Sequence, residues 1–227
     1  NTSLVRIFGV VKAVVNFSIK EQGLECKNAF SGVYIPAENN KKRYSVKGKE
    51  LKSLQDECVL LDDDIRWLVA LISDTGMRLS EAVGLLVDDL VLDSEQPHIK
   101  LVLHPHRRLK TGASERTIPL VGSSLWAAKR IKENSSSKFC FSRYCTDNSC
   151  NSNSASAAIN KWIKKVISSE AVIHGLRHGF RDRLRAAEAP MDMIDQLGGW
   201  SLRSVGQGYG DGYPLDLLHR WMEKIVL

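Results

Sequence analysis

The stretch Thr75-Gly76-Met77-Arg78-Leu79-Ser80-Glu81 places an arginine just past a glycine and a carboxylate three residues further on. On a helix those positions are neighbours, so Glu81 can orient the Arg78 guanidinium toward an anion. The same spacing serves an ordinary surface ion pair, and the residues alone leave both readings open. A second group, His174-Gly175-Leu176-Arg177-His178, sets His174, Arg177 and His178 on one helical face at i, i+3 and i+4. An imidazole beside a guanidinium suits an anionic substrate. Two histidines four apart also raise the idea of a metal pair, but Gly175 stands where an H-E-x-x-H site has its Glu, so no metal is expected. The third group is Leu197-Gly198-Gly199-Trp200, with Tyr209 nine residues later inside Gly206-Gln207-Gly208-Tyr209-Gly210-Asp211-Gly212-Tyr213. A core tyrosine has apolar periodic flanks. These glycines leave a phenol exposed, although a plain glycine-rich loop has the same composition.

Helical periodicity predicts most of the frame that must carry these groups. Leu4, Ile7, Phe8, Val11, Val14, Val15 and Ile19 mark an amphipathic helix over 4–24. Residues 28–40 hold Gly32, Pro36, Asn39 and Asn40 and read as a connector, which divides the chain into domains 1–40 and 41–227. Asp64 caps a helix through Trp67, Leu68, Leu71 and Ile72 that Gly76 ends, and a short helix follows over 80–90. Residues 98–104 and 116–120 read as two strands joined through a turn at 111–114. Further helices are predicted at 123–133, 153–168, 174–187, 191–197 and 214–227, with a Ser-, Asn- and Cys-rich surface loop over 134–153. The expected class is therefore mainly α with a small antiparallel sheet, α+β.

Charge and composition narrow the partners. The 227 residues carry 32 Lys plus Arg against 26 Asp plus Glu, a net charge of +6, which suits a polyanion without requiring one. No run approaches the ~20 apolar residues of a membrane span, so an integral membrane protein is excluded at this level. Between residues 41 and 52, five lysines and Arg43 face the single Glu50; such a run can grip phosphates or form a solvated linker face. Five cysteines, an odd number, point to reduced thiols in an intracellular setting. Cys140, Cys145 and Cys150 lack the C-x2-4-C spacing and paired histidines of a zinc site.

Taken together and in order, the three boxes resemble the tyrosine recombinases of the phage integrase family, in the phage-type form where Trp follows the double glycine in place of His. The resemblance covers roughly residues 41–227, and Trp200 lies 23 residues after Arg177, as the family pattern expects. The family also carries a catalytic lysine in the turn of a β-hairpin. The segment from Leu109 to Leu120 looks like that hairpin and makes Lys110 the candidate, an ordinary surface lysine being the alternative. Residues 1–40 are similar to the end of the family's core-binding domain, with the rest of that domain, and any arm-binding domain before it, expected to be absent.

The resemblance implies the following chemistry. Tyr209 attacks the scissile DNA phosphate, giving a 3′-phosphotyrosyl link and a free 5′-hydroxyl, while Arg78 and Arg177 bind the non-bridging oxygens. His174 assists the phenol as base or hydrogen-bond partner, and Lys110 is the acid toward the leaving 5′-oxygen. Trp200 donates its indole N–H or packs beneath Tyr209; Glu81 orients Arg78, and His178 supports the same face. Tyr213 is the rival nucleophile. The covalent link conserves the bond energy, so no cofactor, ATP or metal is expected. The implied partners are double-stranded DNA attachment sites, a homotetramer on DNA and accessory DNA-bending or directionality factors, with no membrane, in the cytoplasm of a bacterial host at the nucleoid. Lys41, Lys42, Arg43, Arg107 and Arg108 are the DNA-binding candidates. By the same analogy the final helix, with its stripe of Leu215, Leu218, Trp221, Met222 and Ile225, docks on a neighbouring protomer; packing on its own domain is the alternative. A type IB topoisomerase-like enzyme and a DNA-binding module that no longer cuts are the competing functions.

Overall fold

The computed structural model describes residues 2–36, 44–107, 109, 114–200 and 212–227, and the chain divides after Arg43 into two units. The first consists of helix α1 (Thr2–Glu21) and the segment that turns back along it. Phe8, Val11, Val15 and Ile19 are half-buried at helical spacing, whereas Leu4, Ile7 and Val14 of the expected stripe are exposed. The side-chain amide of Asn28 fastens the returning segment, donating to the Lys12 carbonyl at 3.0 Å and to Asn16 Oδ1 at 2.7 Å.

The second unit runs α2 (Gly48–Leu61), α3 (Asp64–Thr75), α4 (Leu79–Val83), a 3-10 turn, β1 (Leu90–Val91), β2 (His98–Leu101), β3 (Arg116–Pro119), α5 (Gly122–Asn134), a second 3-10 turn, α6 (Ser152–Val166), α7 (Ile173–Ala186), α8 (Met191–Gly198) and α9 (Leu215–Glu223). Helix α3 is its axis. Every residue from Leu68 to Thr75 is buried, because α2, α5 and α7 pack around it. Asp63, one residue before the expected cap, starts the helix by accepting the Arg66 N–H. The buried Asp74 near its end is satisfied by Gln55, by the Ser123 N–H at 2.9 Å and by Arg183 at 2.8 Å, which binds three helices at one carboxylate.

Two features depart from the sequence reading. Helix α2 occupies part of the basic run, burying Leu51, Leu54, Gln55 and Cys58 while its lysines face water. The sheet has three strands, not two, in antiparallel order β1-β2-β3, with Leu90 opposite Ile99 and Ile99 opposite Ile118. Helix α9 buries Leu218 and Met222 and packs against β3 of its own chain. Helix α7 admits the chain entering this unit at very close range: a Cβ on Gly179 would lie 1.9 Å from the Val46 carbonyl oxygen, so only glycine fits there.

Cys145 and Cys150 form a disulfide within the 141–151 loop, where five reduced thiols were expected. Cys26, Cys58 and Cys140 are unbridged, and burial pushes the Cys58 thiol up to about 12. Among the described residues, no helix is long and apolar enough to cross a membrane, and no group of three or more His, Cys, Asp or Glu is placed to hold a metal.

Candidate active site

The turn after α3 delivers Arg78 to the start of α4, where Glu81 accepts the Arg78 backbone N–H at 2.9 Å and its Nη1 at 2.5 Å. Glu81 is 1% exposed, so this is a buried orienting pair and not a surface ion pair. The Oε2 that takes the Arg78 backbone N–H also accepts Nη2 of Arg116 at 3.0 Å, while Oε1 takes the Arg78 guanidinium. Burial alone would raise the Glu81 pKa, but Arg116 and Arg78 outweigh it and hold the carboxyl below its ordinary range.

Helix α8 ends against three guanidiniums. The carbonyls of Leu197, Gly198 and Gly199 accept from Arg116 at 2.9 Å, Arg177 at 2.6 Å and Arg78 at 3.0 Å respectively. Carbonyls at a helix C-terminus carry partial negative charge, which suits cations. The double glycine is sterically required: a Cβ on Gly198 would fall 1.7 Å from the Trp200 ring, and one on Gly199, at φ +60°, would fall 2.6 Å from Nη1 of Arg116. Arg177 reaches back to the Gly76 carbonyl with its other arm. Burial, then the charge of Arg78, push the Arg177 guanidinium down to about 9, with Glu81 opposing. Such a cation is well placed to gain from an incoming anion.

Two arginines of α7 meet the Trp200 ring, the Arg177 guanidinium at 4.3 Å and the Arg181 guanidinium at 4.7 Å from its centroid. Arg181 is tied in turn to the buried Asp195 of α8 at 3.1 Å. On the same helix His174 is exposed, edge-on to the half-buried His178 with ring centroids 4.9 Å apart. Trp200 and Tyr213 are both held by α8. The Trp200 N–H donates to the Asp195 carbonyl at 3.0 Å. Gln196 clamps Tyr213, donating to its carbonyl and accepting its N–H at 2.8 Å. The Tyr213 hydroxyl donates to the Asp192 carboxylate at 2.9 Å, and burial and that carboxylate raise its pKa.

Arg78, Glu81, Arg177 and Trp200 therefore meet around the end of α8, with His174 and His178 on the adjoining face of α7. Lys110, Tyr209, Lys41, Lys42, Arg43 and Arg108 lie outside the described residues. Arg107 needs correction. Expected on a DNA-facing surface, it is 2% exposed, with its guanidinium on Asp89 at 3.2 Å and on the carbonyls of Gly84 and Val102. Arg116, Arg181 and Asp195 join the site without having been singled out from the sequence. Arg181, four residues after Arg177 on the same helix, was the most discoverable of them.

Residues 45–213 match the model of the phage integrase family, about three quarters of the chain, and the chain belongs to that family. It is a site-specific integrase or recombinase, an enzyme that transfers DNA strands. Three solved structures share the fold. The Tn1549 transposon integrase in complex with a circular intermediate DNA is 16% identical at a TM-score of 0.71, with 99% of this chain and 79% of that one covered. A lambda integrase tetramer bound to a Holliday junction is 14% identical at 0.61, covering 90% and 58%. The integrase from mycobacterium phage Brujita is 14% identical at 0.53, covering 96% and 70%. No curated protein gives a significant match.

Proposed function

We propose that the end of α8 is the receptor for a scissile phosphate of double-stranded DNA, and that Tyr209 is the nucleophile that attacks it. The observation that carries this reading is the convergence of Arg78 and Arg177, from opposite halves of the unit, on the consecutive carbonyls of Gly199 and Gly198. Planar guanidiniums match non-bridging phosphate oxygens and stabilise the charge that builds on them in the transition state. The phenol oxygen forms a bond to phosphorus as the bond from phosphorus to the 5′-oxygen breaks. The phenolic proton passes toward His174, and Lys110 supplies a proton to the departing 5′-oxygen. Trp200 cannot shuttle a proton, and its stacking supports a role in holding Arg177. The engagement of the Tyr213 hydroxyl with Asp192 supports Tyr209 over its neighbour.

The partners follow from the same reading. DNA-bound relatives, including the lambda integrase tetramer, support attachment-site DNA as substrate and a tetramer as the working assembly. Residues 1–40 would then be the end of a core-binding domain with its linker, and the basic segment from Lys41 to Arg43 would meet the DNA backbone, in a bacterial cytoplasm. The test is covalent capture on a nicked suicide duplex: Tyr209→Phe should abolish the protein–DNA adduct and keep duplex affinity, whereas loss of the adduct in Tyr213→Phe alone would refute the assignment.

A further inference from the structure

We infer that Arg116 is a positioning residue for strand transfer, fixing Arg78 and Ser114 against the end of α8; the inference rests on the phosphate-receptor reading above. Arg116 opens β3, and its guanidinium serves three separate segments. Nη2 donates to Glu81 of α4 at 3.0 Å, Nε to the Leu197 carbonyl of α8 at 2.9 Å, and Nη1 to the Ser114 carbonyl at 2.7 Å. Ser114 lies four residues after Lys110 in the sequence, and its hydroxyl also accepts from Nη1 of Arg78 at 3.3 Å.

The geometry gives Arg116 no direct part in holding an anion. Its side chain is 3% exposed, against 22% for Arg78, and three protein acceptors already fix its fork. What it fixes is Glu81. With Arg116 on Oε2 of that carboxylate, the remaining lone pairs face the Arg78 N–H and Nη1, which leaves Nη2 of Arg78 to lie along the Gly199 carbonyl. One buried side chain thus sets the register of the Arg78 cation, the hairpin stem and the helix end. A lysine keeps the charge but has no fork to satisfy acceptors in three directions at once.

A duplex recovered from a randomised pool by covalent capture on the full wild-type chain provides the probe. It is prepared with either a phosphodiester or a charge-neutral methylphosphonate at the scissile position. A guanidinium that neutralises phosphate matters less on the neutral linkage, whereas a general loss of folded protein slows both alike. Arg116→Lys should form adduct about 100-fold more slowly on the phosphodiester and less than about 10-fold more slowly on the methylphosphonate, the pattern of Arg78→Ala. Thermal unfolding and binding to the uncleaved duplex should stay near wild type. If Arg116→Lys does not fold, Arg116→Gln, which leaves Glu81 and its bonds to Arg78 in place and keeps a neutral donor, replaces it under the same two-substrate criterion. Equal slowing on both linkages, or less than about 3-fold on the phosphodiester, overturns the inference. A wild-type rate for Arg78→Ala overturns the phosphate-receptor reading itself, and this inference with it.

Discussion

Glu81 and Asp89 are buried carboxylates eight residues apart, each held by arginine, and they do opposite things. Asp89 is met by Arg107 and His104, and Arg107 spends its remaining donors on main-chain carbonyls, so the pair is closed and locally neutral. Among the described residues, Arg78, Arg116, Arg177 and Arg181 gather beside Glu81 and Asp195, four guanidiniums to two carboxylates. A protein does not gather cations in a partly buried space without a compensating anion nearby, because their mutual repulsion and desolvation oppose folding. The first cluster is finished by the chain itself; the second, on the proposed reading, is completed by the phosphate it would bind.

That contrast breaks most visibly by substitution. Arg177→Ala should slow adduct formation by about 100- to 1,000-fold and cost the fold no more than about 1–3 kcal/mol, from the Gly76 and Gly198 carbonyls left unpaired, with relief of cation repulsion offsetting part of it; single-turnover kinetics and urea melts check the two halves. Arg107→Ala should do the reverse. It strands the Asp89 carboxylate in the interior and should cost about 3–5 kcal/mol in unfolding free energy, measured by denaturant titration. Trp200→Ala, which removes the ring that two guanidiniums contact, should lower the adduct rate about 10-fold, since a desolvated cation–π contact contributes about 2 kcal/mol.

A subtler separation comes from acid. The Glu81 carboxyl is held below its ordinary value, so its ionised form stabilises the fold fully above the unfolded-state value and loses that contribution as pH falls through the lowered native one. The stability difference between wild type and Glu81→Gln should therefore stay constant from neutral pH down to the ordinary glutamate range and narrow only below it. A difference that narrows nearer neutrality would mean the carboxyl is not held by its arginines. The smallest effect belongs to Tyr213→Phe, which forfeits one hydrogen bond, about 1 kcal/mol in a thermal melt, and leaves adduct formation intact.

The long helices and the three boxes were legible because their information is local: apolar spacing, caps, and residues three or four apart. Helix α2 was missed although Leu51, Leu54 and Cys58 carry the period, because the lysines between them dominated the reading. Strand β1, two residues long, has no pattern to detect. Arg107 and Arg116 looked alike on paper, both basic residues flanking a hairpin. Their fates are decided by acceptors far away in sequence, Gly84 and Asp89 for one, Glu81 and Leu197 for the other. No local rule reports that.

Helix α8 also secures the posts at Trp200 and Tyr213, so one eight-residue rod sets where the intervening chain begins and ends. Tyr209 is four residues from the nearer post, which leashes its Cα within about 14 Å of that of Tyr213 whatever course the chain takes. On the proposed reading, the same rod whose end receives the arginines keeps the phenol at a high effective molarity, a tethered reactant that never has to be found by diffusion.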